Sequence, residues 1–163
     1  MKRILKVILS VILIILLLNS VKEKSIEIYQ KNKIKDNIYK IELGKIEIPS
    51  ITLNNKIVSG TNKNILDQNY VGHIKESSLN FNETIILAGH NNKYVFKRLK
   101  ELKRGNEIYL TIYDETKKYC VLNKIEIYYN DYTYFKKQEN TLILITCTKD
   151  KNKRLIIISK LCM

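Results

Sequence analysis

The chain has 163 residues, of which 45% are hydrophobic, enough for one domain of ordinary core size plus a smaller segment, and too apolar for a disordered chain. Its formal charge of +13 comes from 29 Lys and Arg against 16 Asp and Glu. These cations are spread along the chain and not gathered into one run, so they read first as a solvated surface and only second as a site for an anionic partner. The three cysteines, Cys120, Cys147 and Cys162, show no CxxC pair and no Cys/His spacing of a zinc site, so a disulfide framework is not indicated and at least one thiol is expected to be free.

In chain order, Lys2, Arg3 and Lys6 form a basic start, and Val7 to Leu18 is uncharged and almost wholly aliphatic. Residues 1–21 read as a membrane anchor whose apolar span, residues 4–21, is short for a bilayer, with Lys6 free to snorkel toward the headgroups. A cleaved signal peptide is the rival, but Leu18 lies two positions before Ser20, a poor cleavage site, and the uncleaved anchor is favoured. Lysines follow the segment at 22, 24, 31, 33 and 35, so charge counting alone does not fix its orientation. Residues 22–43 read as a juxtamembrane stalk.

The signals then become short and strand-like. "KIEIPSI" alternates and is closed by Pro49, and "NKIVSG", "ETIILAGH", "EIYLTIYD", "KYCVLN", "KIEIYYN", "TLILITC" and "RLIIIS" follow. One helix is predicted over "NKYVFKRLKELKRG", with Val95, Leu99 and Leu102 at i, i+4 and i+7 and Gly105 as its stop. Many short strands with one helix predict a closed or nearly closed β-barrel over residues 44–163.

Three residues stand where strands end. Cys147 closes an apolar strand where a lysine-rich loop begins, Arg154 opens the next strand seven residues on, and His90 ends "TIILAGH". Read singly, each is ordinary: a strand-end cysteine is most often buried, a strand-end histidine bonded to backbone, an arginine one of many surface cations. Together they suit acyl transfer. A thiolate attacks a carbonyl carbon, a histidine moves the proton to the leaving amine, and a guanidinium donates to the developing oxyanion or the substrate backbone. Cys120 lies within a strand pattern and reads as structural, and a Cys120–Cys162 disulfide is compatible with an extracellular setting.

These residues also carry a resemblance. "TLILITC" followed by "RLIIIS" resembles the sortase signature, a TLxTC strand, a loop and an arginine opening the last strand. "IILAGHNNKYVFKRLKELKRGNEIYL" resembles the sortase stretch with the catalytic histidine, and "KIEIPSI" its first barrel strand. The similarity spans about residues 41–161. It implies an all-β-dominated fold, a closed eight-stranded β-barrel of sortase type with one or two short helices, preceded by an N-terminal membrane helix. It implies a membrane-anchored cysteine transpeptidase, mainly of Gram-positive bacteria, single-pass with its catalytic domain extracellular. Such an enzyme cleaves an LPxTG-like motif near the C-terminus of a secreted protein through a thioacyl intermediate, which an amine on a peptidoglycan precursor or a pilin then resolves. Carried onto this sequence, the nucleophile is Cys147, the proton-transferring histidine His90 and the oxyanion or substrate arginine Arg154, with His73 in "YVGHI" the lesser candidate. No cofactor is implied, and calcium dependence is left open.

The sequence also departs from the family pattern. Thr141 is farther from Cys147 than the family's threonine, Leu144 more nearly takes the leucine position, and Asn106 follows Gly105 where an acidic residue is common. The loop from Cys147 to Arg154 and the stretch 130–140 are short. A non-catalytic, membrane-anchored β-barrel surface module is the rival reading. A nucleic-acid binder is disfavoured, because the anchor argues against it although "YYNDYTYFKK" supplies aromatics beside lysines.

Overall fold

The computed structural model describes residues 14–31 and 41–162. It divides into two units, separated near residues 38 and 39. In the first, residues 14–31 form a helix, α1, that runs across the expected boundary between anchor and stalk. Among the described residues no helix is long and apolar enough to cross a membrane. Most of the expected anchor, residues 4–13, and residues 32–40 of the expected stalk lie outside the described residues.

The second unit is a closed barrel of eight strands: β1 (Glu42–Ile48), β2 (Leu53–Ser59), β3 (Val71–His73), β4 (Thr84–Ala88), β5 (Glu107–Ile112), β6 (Glu115–Tyr128), β7 (Thr141–Cys147) and β8 (Lys153–Leu161). Round the barrel they run β1-β2-β3-β4-β7-β8-β6-β5, and β5 pairs with β1 to close the ring. Two neighbouring pairs, β2/β3 and β4/β7, are parallel. Closure leaves no unpaired sheet edge, which an open sheet of this composition would expose.

The expected strand count is met by different strands. "KYCVLN" and "KIEIYYN" form one continuous β6, 14 residues long, with an irregularity between Val121 and Asn123 that absorbs the break in alternation. The eighth strand is β3, three residues in "YVGHI". The strand region starts at Glu42, two residues before the expected domain boundary at 44. A four-residue helix, α2 (Lys63–Leu66), links the parallel strands β2 and β3, as a parallel connection requires a crossover.

The predicted helix over residues 92–105 is a shorter element, a 3-10 helix at Lys97–Glu101 entered through a turn. Asn92 explains the turn: its Oδ1 accepts from the Tyr94 and Val95 amides, a local arrangement that competes with a regular helix start. Leu99 N–H then donates to Phe96 O and Leu102 N–H to Leu99 O, so the apolar residues Phe96, Leu99 and Leu102 recur every third position. All three are fully buried, so the predicted apolar face is present on a tighter winding.

One core fills the barrel. A second, smaller apolar cluster lies elsewhere and contains Ile86, Ile127, Ile143 and Ile156, with Ile145, Ile158 and Phe135 packed against it. Successive strand residues point to opposite faces. In β7, Leu142 and Leu144 belong to the core while Ile143 and Ile145 belong to the second cluster. "TLILITC" and "RLIIIS" are therefore unbroken apolar runs because both faces of these strands meet apolar neighbours, the pattern of a doubly covered sheet. The residues between β6 and β7, with a 3-10 turn at Thr133–Phe135, supply Phe135 to the outer cluster.

Candidate active site

The two cross-strand registers of β7 bring the three chemical residues to one rim. In the β7–β8 ladder Cys147 stands directly opposite Arg154, one step beyond the pair Thr146–Leu155 and two beyond Ile145–Ile156. Alternation puts Cys147 and Arg154 on the outer face, in line with Ile145 and Ile156 of the second apolar cluster. In the parallel β4–β7 ladder Ala88 matches Ile145, and the pairing continues past the strand through Gly89 N–H donating to Ile145 O at 3.1 Å. His90 thus leaves β4 at the level where Cys147 leaves β7.

Gly89 has a physical reason to precede this histidine. A Cβ there would lie 2.6 Å from Val95 Cγ1 and 2.8 Å from Phe96 Cδ2, so only glycine lets the buried Val95 and Phe96 pack over the end of β4. The rim is further clamped by Thr146, buried on the inner face, whose hydroxyl donates to Gly89 O at 2.8 Å. Asn91 Nδ2 donates to Cys147 O at 2.7 Å. Strand ends that are otherwise remote in sequence are thus tied across the nucleophile by one hydroxyl and one amide.

The Cys147 thiol is free and exposed, whereas Cys120 and Cys162 are joined in a disulfide. Arg154 holds its guanidinium over the loop, with Nη1 donating to the carbonyls of Lys151 and Lys153, each at 2.9 Å. That anchorage holds a planar donor group at the lip beside the Cys147–Arg154 pair. His90 is part-exposed, and its Nε2 lies 3.0 Å from Asp67 Oδ1. The other histidine, His73, is buried at the end of β3, its Nε2 within 3.0 Å of both Ser78 O and Ser77 Oγ. Burial lowers its pKa below the ordinary imidazole value, and these bonds give it a structural place within the β3–β4 connection.

A cavity of about 560 Å³ opens beside Cys147 at the mouth of the barrel, with Asn91, Phe96, Thr146, Leu155, Lys97 and Lys153 among its lining. Cys147 therefore stands between partly exposed Ile145 on the outer face and a lysine-bearing cavity at the mouth. Among the described residues no group of three or more His, Cys, Asp or Glu side chains is arranged to hold a metal ion.

The sequence singled out Cys147, His90 and Arg154 but not Thr146, Asn91 or Asp67. Thr146 had a signal in its position next to the cysteine. Asn91 and Asp67 act across 56 and 23 residues of sequence and carry no local mark.

A family model described as Sortase domain matches residues 46–162. No curated protein matches the chain. Among solved structures, sortase C of Clostridium perfringens with the C-terminal cell wall sorting motif is similar at 27% identity and a TM-score of 0.70, covering 77% of this chain and 72% of that one. Sortase A of Listeria monocytogenes is similar at 25% identity and a TM-score of 0.68, covering 75% and 88%. A lid mutant of sortase A from Corynebacterium diphtheriae gives 25% identity and a TM-score of 0.70, covering 76% and 72%. The eight-stranded ring, the thiol at a strand end and the match along the whole barrel converge, and the rival reading of a non-catalytic module falls away: the chain belongs to the sortase family and is a cysteine transpeptidase.

Proposed function

We propose that this transpeptidase cleaves an LPxTG-like sorting motif in secreted proteins and transfers the acyl group to an amine of a peptidoglycan precursor or a pilin, working outside a Gram-positive cell from a single-pass anchor at residues 4–21. The observation that carries the reading is the shared rim: Cys147 opposite Arg154 in one ladder and level with His90 in the other.

In this mechanism the Cys147 thiolate attacks the carbonyl carbon of the scissile peptide bond. The tetrahedral oxyanion is met by Arg154 N–H donors other than those Nη1 gives to the loop carbonyls, set in the planar fork of the guanidinium. The C–N bond breaks as His90 gives its proton to the leaving amine, and a thioester remains on Cys147. An acceptor amine then attacks the thioester carbon and His90 takes up its proton. The C–S bond breaks and the thiolate returns. Water attacking in place of the amine gives hydrolysis.

Two surfaces support a division of the substrates. Partly exposed Ile145 lies in line with Cys147 on the outer face, above the buried Ile143 and Ile156, and offers an apolar contact for the motif's aliphatic residue. The mouth cavity on the other side of the thiol leaves room for the acceptor. The setting outside the membrane draws support from the Cys120–Cys162 disulfide, a bond of oxidising compartments, and from the basic and aliphatic character of residues 1–18.

The test is a panel of fluorogenic peptides varied around LPxTG, offered with and without an amine nucleophile. The reading expects cleavage of at least one member and a ligation product that appears only with amine. Cleavage that is indifferent to amine, or a preferred peptide with no aliphatic residue near the scissile bond, would contradict it.

A further inference from the structure

Asp67 lies 23 residues before His90 in a part of the chain with no strand signal, yet its carboxylate reaches the imidazole. The local fold accounts for this. Asn62 caps α2, its side chain accepting from the Ile65 amide at 3.0 Å, and buried Ile65 pins the short helix to the barrel. The chain leaves α2 at Asp67 and turns at Asn69, whose φ of 62° is the left-handed conformation that asparagine tolerates well. Three asparagines then stitch this turn to the segment that follows β4. Asn92 Nδ2 donates to Asn69 Oδ1 at 2.8 Å, and Asn55 Nδ2 donates both to Asn69 O at 2.9 Å and to Tyr94 O at 3.2 Å.

The stitching already fixes the two segments together, so the Asp67–His90 contact is not needed for that purpose. The pair is also a poor source of stability: its side chains are 52% and 39% exposed, a setting in which ion pairs contribute little. What the contact does control is the imidazole. A carboxylate only accepts, so the nitrogen facing it must carry hydrogen, and in the neutral ring that leaves the lone pair on the other nitrogen.

We propose that Asp67 is a positioning residue that holds His90 as its Nε2–H tautomer, so that Nδ1 is the atom that passes the proton in both halves of the transpeptidation. Nδ1–H gives its proton to the leaving nitrogen as the scissile C–N bond breaks and the C–S bond of the thioester remains. The bare Nδ1 then takes a proton from the incoming amine as the new C–N bond forms and C–S breaks. Asp67 exchanges no proton and orients the ring throughout. The inference rests on the proposed role of His90.

The test uses the full chain labelled with 15N, and compares the parent with Asp67→Ala and Asp67→Glu. Two-bond 1H–15N spectra of the neutral imidazole read the tautomer without any need for turnover. The parent is expected to hold His90 almost wholly as Nε2–H, and Asp67→Ala to relax to the mixture of free imidazole. Its kcat should fall about 10- to 100-fold with KM little changed, less than the ~10⁴-fold cost of replacing a buried triad carboxylate because this pair is half exposed. Asp67→Glu should recover part of the loss, and the thermal midpoints should coincide. The same tautomer mixture in the parent and in Asp67→Ala, or parental kcat in Asp67→Ala, would overturn the proposal. Retained activity in His90→Ala would instead overturn the role of His90, an outcome the tautomer spectra distinguish from failure of Asp67 alone.

Discussion

The ribbon formed by β6, β8 and β7 carries sulfur at both of its ends, and the two ends behave as opposites. At one end Cys147 faces Arg154 across the ladder and keeps an exposed, free thiol. At the other, Cys120 pairs with Lys160, and the chain continues through Leu161 to Cys162, which bonds back to Cys120. Both sites place a cysteine on a strand of the same ribbon, Cys147 at the end of β7 and Cys120 within β6. They differ in what surrounds them: at the far end a second cysteine within bonding reach, at the rim a histidine, an arginine and a cavity in place of any partner sulfur. The residue type is the same, and its placement on the ring decides between a staple and a nucleophile.

The largest effect expected from this contrast is at the rim. Cys147→Ala should abolish transpeptidation, a loss on the order of 10⁴-fold or more, while its exposure keeps the change in unfolding free energy within about 0.5 kcal/mol. Activity assays beside thermal denaturation separate the two quantities. At the far end the expectation reverses. Replacing Cys120 and Cys162 together by serine should cost about 3–4 kcal/mol, as a chain-entropy model gives for the closed loop, with the alkylation rate of Cys147 unchanged. Equal losses of activity and stability in either variant would break the comparison.

A smaller effect separates the two faces of β7. Ile145, on the outer face and only half-buried, changed to Asp should lower kcat/KM by about 10- to 100-fold through KM, the equivalent of one apolar side chain's contact. The circular dichroism of the barrel should be preserved. Leu144, its neighbour on the inner face, is fully buried, and Leu144→Ala should instead cost about 2–5 kcal/mol of stability.

The smallest effect concerns the other histidine. Burial holds His73 below the ordinary imidazole value of 6.5, so the folded state favours the neutral ring. Its contribution is fully present above 6.5 and is lost as pH falls toward the lowered folded value, because below 6.5 the unfolded chain takes up the proton first. Thermal midpoints should decline over that window before the carboxylates titrate. His73→Gln should flatten this limb without changing the rate of Cys147 alkylation.

How much of this was legible in the sequence depended on the range of the interaction. Apolar alternation or unbroken apolar runs marked seven of the eight strands, and the strand-end positions of His90, Cys147 and Arg154 marked the rim. β3 escaped because three residues are too few for any period to show. The merging of two strand patterns into β6 escaped because the irregularity near Leu122 shifts the phase as a turn would. The apolar run at 95–102 was read with helical spacing, and the side chain of Asn92, bonding its own following amides, decided for a turn and a 3-10 helix. The supports of the site, from Thr146 to Gly89, Asn91 to Cys147 and Asp67 to His90, span 57, 56 and 23 residues and exist only once the ring has closed.

The most direct test of the central claim is to trap the acyl-enzyme. The full chain would be mixed with a cleaved peptide in the absence of amine, quenched in acid and mapped by mass spectrometry. The account predicts one thioester adduct, on Cys147, that disappears when an amine is added before the quench and never forms in Cys147→Ala. An adduct on any other residue, or peptide cleavage that survives Cys147→Ala, would contradict it.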